Sequence, residues 1–313
     1  MFFRALPILL LASCGSSPQP VSHPQAPDAL GVGDHAVPVD GVTLAYHVAG
    51  SGPRCFVVPG GPGLTWTYAR MPSLEKRLTL VYLEPIGSGA SGRLPPDQKY
   101  SLQRYADQLE AFRVAVGLDR MCLVGHSHGG MIALRYAAQH SERVSALVAY
   151  DAPDRTDKDF GDAIFANAKK WFEGKPWYQG AIDAFSGPDS KTDAEGTAVW
   201  AKILPLYFYD YDSNAAAYDA AGKVAYSVAP DTQAAKTGHP LDMRTEFPGI
   251  QAPTLVIVGA RDFIASEPFA REIASGIRGA QLVVLEKSGH MGHVEEPERF
   301  AAVVGDFVLA HAK

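Results

Sequence analysis

The chain has 313 residues, 47% hydrophobic and 20% charged, with a net charge of −6. This is the composition of a globular protein long enough to bury a substantial core, and it excludes fibrous and disordered classes. No basic stripe accompanies the acidic balance, which argues against nucleic acid as a partner.

The N-terminus reads MFFRALPILLLASCGSSPQPVSHPQAP. Arg4 precedes an apolar run, Ala5 to Ala12, that is too short to span a bilayer and has the form of a secretory signal. Its end, Leu11-Ala12-Ser13-Cys14, resembles a bacterial lipobox, in which the cysteine becomes the lipidated first residue of the mature protein. The expectation is a signal peptide over 1–13, then a lipidated Cys14 and a Gly/Ser/Pro/Gln tether over 14–33. A cleaved signal without lipid is the alternative. Gly15, where the inner-membrane retention signal has Asp, favours the outer membrane and a periplasmic face.

From Asp34 to Ala49 an alternating pattern predicts a hairpin turning at Asp40-Gly41. Short apolar runs predict strands at Arg54–Val58, Leu78–Leu83, Arg120–Val124 and Val144–Tyr150. Helical spacing occupies Leu64–Arg77, Ser101–Val116 and Ser127–Gln139. In the second of these, Leu102, Tyr105, Leu109, Phe112 and Val116 share a face, and Ser101 is placed as the N-cap. Strand–helix alternation predicts a mostly parallel sheet flanked by helices. The alternation stops at Asp154. Aromatic-rich, helix-like pieces run to Pro248, which predicts a helical cap inserted over 154–248 between core segments 34–153 and 249–313. The rhythm resumes with Thr254–Gly259, a helix near Ser266–Ser275, Gln281–Leu285 and a last helix from Pro297. Cys55 and Cys122 fall inside predicted strands and read as buried free thiols, since cysteines within parallel strands rarely meet disulfide geometry.

Gly125-His126-Ser127-His128-Gly129 fits G-x-S-x-G between a strand and a helix. That context marks a nucleophile elbow, with Ser127 presented at the carboxyl end of the sheet. A serine hydroxyl needs a base. His290, after the last strand, satisfies the order serine, acid, histidine; His293 is the alternative, a loop or surface histidine. Asp262, after Thr254–Gly259, is placed to hold the imidazole, with Asp151 one strand earlier as its rival. The amide of His128, next to the nucleophile, is one expected oxyanion donor.

The segments PGGPG (59–63), GSGASG (87–92), LVGHSHGG (123–130), PTLVIVGARD (253–262) and SGHMGHVEEPERF (288–300) resemble the α/β-hydrolase fold family, and within it the proline iminopeptidase-like group. The resemblance implies an α/β-hydrolase sheet with an inserted cap and the triad Ser127, Asp262 and His290. It also implies a second oxyanion donor at Gly61, with Gly60 as an alternative. Pro59 stands where that group has His, and Glu84-Pro85-Ile86-Gly87-Ser88-Gly89 lacks its Arg. The implied activity is serine hydrolysis through an acyl-enzyme, with an aminopeptidase acting on small peptides as the first reading. An esterase or lactonase on small acyl substrates is the second, and a non-catalytic binding protein the third. For the aminopeptidase, Asp210 and Asp212 in YFYDYDSN are the candidates for binding a free amine. No metal or organic cofactor is implied, and the expected partners are a small substrate and, through Cys14, a membrane.

Overall fold

The computed structural model describes residues 29–222, 224–230 and 241–311, without the side chains at 216, 217 and 219–222. Cys14 and the leader lie outside the described residues. The hairpin forms from β1 (Gly33–Val39) and β2 (Val42–Gly50). It turns at Asp40 (φ 48°) and Gly41 (φ 79°), as a two-residue turn with both central residues left-handed demands.

The strands β3 (Arg54–Val58), β4 (Thr79–Leu83), β5 (Met121–His126), β6 (Val144–Tyr150), β7 (Thr254–Gly259) and β8 (Gln281–Leu285) complete an eight-stranded sheet of order β1-β2-β4-β3-β5-β6-β7-β8. Only β1–β2 and β2–β4 pair antiparallel. The chain leaves β3 for β4 on one side and returns to β5 on the other. The loops after β3 and β5 therefore part at a switch point, where open α/β sheets form their ligand crevice.

Alternation along each strand divides the core between the two faces of the sheet. Val57, Tyr82, Val124, Val148 and Ile257 pack toward Phe300, Val304 and Val308 of the last helix, Pro297–His311. Phe56, Val81, Leu123, Leu147 and Val256 share the other cluster with Tyr105, Leu109 and Phe112 of the helix Leu102–Ala115. Side chains of this size stabilise the fold by about 1.5–3 kcal/mol each when fully buried. The Ser101 hydroxyl caps that helix by accepting from the Arg104 amide at 3.1 Å.

Two local expectations are corrected. The stretch Leu64–Arg77 is not one helix but a 3-10 turn, Trp66–Ala69, followed by a short helix, Pro72–Glu75. Pro72 forces the break, because the residue before a proline is driven out of the helical region; Met71 sits at φ −123°, ψ 69°. Cys55 and Cys122 are not free thiols but a disulfide, with their Cα atoms 4.6 Å apart. The placement of β4 outside β3 makes β3 and β5 neighbours, and Phe56 pairs with Leu123 one step further on.

Between β6 and β7 the described residues include the helices Lys158–Phe172, Tyr178–Phe185, Asp193–Ile203 and Tyr211–Gly222. Phe160, Phe172, Trp200 and Phe208 from this segment are buried in the same cluster as the sheet's first face. Its later part is fastened to the loop after β3. Ser227 donates its amide to Gly63 O at 2.8 Å, and Thr65 donates to Ala225 O at 3.3 Å.

Candidate active site

Ser127 sits at φ 55°, ψ −123°, a strained backbone that joins β5 to the helix His128–Gln139 within one residue. The flanking glycines are steric necessities. A Cβ at Gly125 would lie 2.4 Å from Gly129 O, and one at Gly129 would lie 2.0 Å from Val58 O. The Ser127 amide is fixed by donation to Tyr150 O at 2.9 Å.

The glycines of PGGPG have separate reasons. A Cβ at Gly60 would lie 2.7 Å from the Ser127 Cβ, so this loop presses directly on the elbow. Gly61 takes φ 127° and Gly63 φ 106°, conformations that favour glycine. A Cβ at Gly63 would lie 2.1 Å from Ser227 O, so its bareness serves the contact with the cap segment. The Gly60 amide donates to the Tyr68 hydroxyl, whereas Gly61 lines the cavity beside Ser127 and His128.

His290 and Asp262 meet across the ends of β8 and β7. His290 Nδ1 is 2.8 Å from Asp262 Oδ2, with both side chains buried. Asp262 Oδ1 also accepts from the amides of Ile264 at 2.9 Å and Ala265 at 3.1 Å, which fix the carboxylate plane. His290 Nε2 is buried and has no hydrogen-bond partner, and Ser127 lines the same cavity. Such contacts commonly tighten only when substrate binds.

Asp151, the rival acid, accepts from the Gly259 amide at 2.9 Å, while its second oxygen is buried without a partner. Burial, reinforced by the neighbouring Asp262, pushes the Asp151 carboxyl well above the usual carboxylate range. His126, Asp151 and His290 bring ligand-type atoms within 4.8 Å of one another, a juxtaposition invisible in linear spacing. Both ring nitrogens of His126, and Nδ1 of His290, are already within hydrogen-bond distance of protein groups.

His293 corrects the expectation of a loop or surface histidine. It is 4% exposed, and its ring nitrogens lie 3.0 Å from the Tyr150 hydroxyl and 2.9 Å from Tyr68 O. Burial lowers it to about 4. Burial lowers His128 to about 4 as well. Glu295, unnoticed in the sequence, accepts from the amides of Gly289 at 2.6 Å and Tyr209 at 2.7 Å and so ties the histidine loop to the cap segment. Burial raises its carboxyl to about 7. The cap segment also accepts the His290 amide, at Tyr207 O, 2.8 Å away.

Ser127, His128, His126 and His290 line a cavity of about 390 Å³. Phe160, Phe185, Trp200, Tyr207 and Tyr226 contribute aromatic walls, and among the described residues that line it none is Asp, Glu, Lys or Arg. Asp210 and Asp212, expected to bind substrate, are not among the described residues that line it. They line a separate hollow of about 130 Å³ with Lys175, Trp177, Tyr209 and Arg261. Asp212 is already paired there, with Lys175 Nζ at 2.7 Å and Trp177 Nε1 at 2.6 Å.

A family model described as alpha/beta hydrolase fold matches residues 55–297, and the chain belongs to that family. It is similar to a 2-hydroxymuconate semialdehyde hydrolase of Pseudomonas sp. (strain CF600), 29% identical over 86% of this chain and 91% of the relative. It is also similar to the proline iminopeptidase PfmaB of Pestalotiopsis fici, 24% identical over 83% and 94%. Among solved structures, the enol-lactonase from Burkholderia xenovorans LB400 superimposes with a TM-score of 0.68 at 21% identity, covering 88% of this chain and 99% of that one. Iminopeptidases are thus one kind of relative among several hydrolases.

Proposed function

We propose that the protein is a serine hydrolase of small, uncharged, apolar acyl substrates, an esterase or lactonase, working through an acyl-enzyme on Ser127. One observation carries the choice of substrate: among the described residues, the wall of the cavity above Ser127 and His290 offers no Asp, Glu, Lys or Arg to pair with an amine or a carboxylate. An aminopeptidase must hold a charged N-terminus, and burying that charge without a partner costs far more than an apolar wall returns. The acidic residues expected to meet it line a different hollow.

The chemistry follows from the arrangement. His290 Nε2 takes the Ser127 proton as the hydroxyl oxygen attacks the acyl carbon. Asp262 holds the tautomer with hydrogen on Nδ1 and stabilises the imidazolium. The amides of His128 and Gly61 receive the developing oxyanion; the Gly60 amide is engaged by Tyr68. Collapse expels the alcohol with the proton from His290, and water then repeats the sequence to release the acid. A chromogenic short-chain ester and a prolyl-arylamide of comparable size, assayed with a Ser127→Ala control, test the reading. Ester turnover lost in the control is expected; Ser127-dependent cleavage of the arylamide with no ester turnover would overturn the substrate choice.

We further propose that the mature chain is lipid-anchored at Cys14 in the bacterial cell envelope, on the periplasmic side of the outer membrane. The Cys55–Cys122 disulfide supports an oxidising compartment. Metabolic labelling with a fatty acid should mark the wild type and not Cys14→Ser; equal labelling of the two would remove the assignment.

A further inference from the structure

Tyr68 and His126 carry a chain of hydrogen bonds whose direction can be worked out from one end. His126 Nε2 lies 2.9 Å from the backbone oxygen of His290. A carbonyl only accepts, so Nε2 carries the hydrogen. In a neutral ring Nδ1 is then the acceptor, and its partner at 2.9 Å is the Tyr68 hydroxyl, which must donate. That hydroxyl, having given its one hydrogen, accepts from the Gly60 amide. Burial holds His126 well below the ordinary histidine range and keeps the ring neutral. One arrangement satisfies every atom, and the chain joins the loop after β3, the residue before the nucleophile, and the backbone of the histidine loop.

We propose that Tyr68 and His126 are positioning residues that set the two oxyanion amides and the His290 loop against Ser127. Tyr68 takes up the Gly60 amide, which orients the following peptide so that the Gly61 amide is the one left for the substrate oxygen. His126 takes up the His290 carbonyl, while Tyr207 holds the amide of the same residue from the cap side. Tyr68 is anchored in turn, since its own carbonyl accepts from His293 Nε2 at 2.9 Å. Removal of the Tyr68 hydroxyl leaves the Gly60 amide and His126 Nδ1 without partners, both in the buried site, and frees three loops to shift relative to one another.

The inference rests on the esterase reading, and the experiment separates the two. Wild type, Tyr68→Phe and Ser127→Ala are compared in ester kinetics and in labelling by a fluorophosphonate. For Tyr68→Phe, kcat and the labelling rate should fall about 10²-fold while KM stays within about 3-fold, as expected of misplaced transition-state donors. A kcat within about 3-fold of wild type, or a loss expressed only in melting temperature, would overturn the positioning role and leave the esterase reading intact. If wild type neither turns over ester nor labels, the functional reading fails and takes the positioning role with it. Should Tyr68→Phe not fold, ¹⁵N spectra of the wild-type histidines decide. His126 should remain neutral with hydrogen on Nε2 from pH 5 to 9, and the opposite tautomer or a charged ring would refute the chain.

Discussion

Two hollows lined by aromatic side chains lie on the same helical segment, and they differ in charge. The inner one, against Ser127 and His290, has no Asp, Glu, Lys or Arg among the described residues of its wall. The outer one gathers Lys175, Asp210, Asp212 and Arg261 around Trp177 and Tyr209, and Lys175 and Asp212 pair with each other. Asp212 is bonded to Lys175 and Trp177, and the Arg261 guanidinium stacks 3.9 Å over the Tyr209 ring. A stretch rich in acids and aromatics therefore identifies the outer surface of the cap segment, while the described wall of the pocket that meets Ser127 is marked by an absence of Asp, Glu, Lys and Arg.

The largest effects should come from the floor of the inner hollow. Asp262→Asn is expected to lower ester kcat by about 10⁴-fold, because the amide favours the wrong imidazole tautomer. Asp151→Asn should cost no more than about 3-fold, since Asn resembles the neutral acid that burial imposes at that site. Steady-state kinetics on the two variants decides between the carboxylates; equal losses would mean that both serve His290.

Placing a charge in the inner wall should come next. Val199 lines the cavity and is only partly buried, so Val199→Asp tests the wall without disturbing the core. Ester kcat/KM is expected to fall about 10–100-fold through lost apolar contact and an added desolvation cost, while activity toward an amine-bearing substrate should not fall in parallel. A parallel fall of both would mean that the wall does not choose between them.

The histidine loop gives a smaller, pH-dependent effect. Glu295 keeps its proton up to about 7 in the folded protein, whereas the unfolded chain releases it near the ordinary 4.5. Between those values the native state holds more protons, so this residue's contribution is present at low pH and is lost as pH rises through 7. Glu295→Gln should therefore gain on wild type by roughly 2 kcal/mol between pH 5 and pH 8, allowing for partial solvation. Urea denaturation at the two pH values measures it, and a difference that does not change with pH would show that the carboxyl titrates normally.

The contrast between the hollows also explains what the sequence could disclose. Val144–Tyr150 and Thr254–Gly259 form at the predicted residues because a parallel strand buried on both faces is a continuous apolar run. The elbow was legible because its glycines answer contacts within a few residues or with the adjoining strand. Other features depend on which strands become neighbours. Cys55 and Cys122 are 67 residues apart and meet only because β4 lies outside β3. Tyr68, His126 and His290 come from a 3-10 turn, the end of β5 and the loop after β8, and no local pattern announces their hydrogen bonds. The position of Asp210 and Asp212 in the outer hollow is hidden for a related reason: composition identifies a helical segment but not which side of it faces Ser127.

The smallest expected effect is the most direct check on that last point. Lys175 and Trp177 hold the Asp212 carboxyl below its usual range. This is the state of a carboxylate already satisfied by its own surface, and an exposed pair of this kind contributes little to stability. Asp212→Asn keeps the shape, removes the charge and leaves the Trp177 indole an oxygen to donate to. Its kcat/KM for the ester, and for any amine-bearing substrate, should stay within about 2-fold of wild type. A selective loss against the amine-bearing substrate alone would mean that the two hollows communicate and that the outer charges take part in recognition after all. An unchanged profile in Asp212→Asn together with a changed one in Val199→Asp would assign substrate choice to the wall that Val199 shares with Ser127, because Asp212 lines the other hollow.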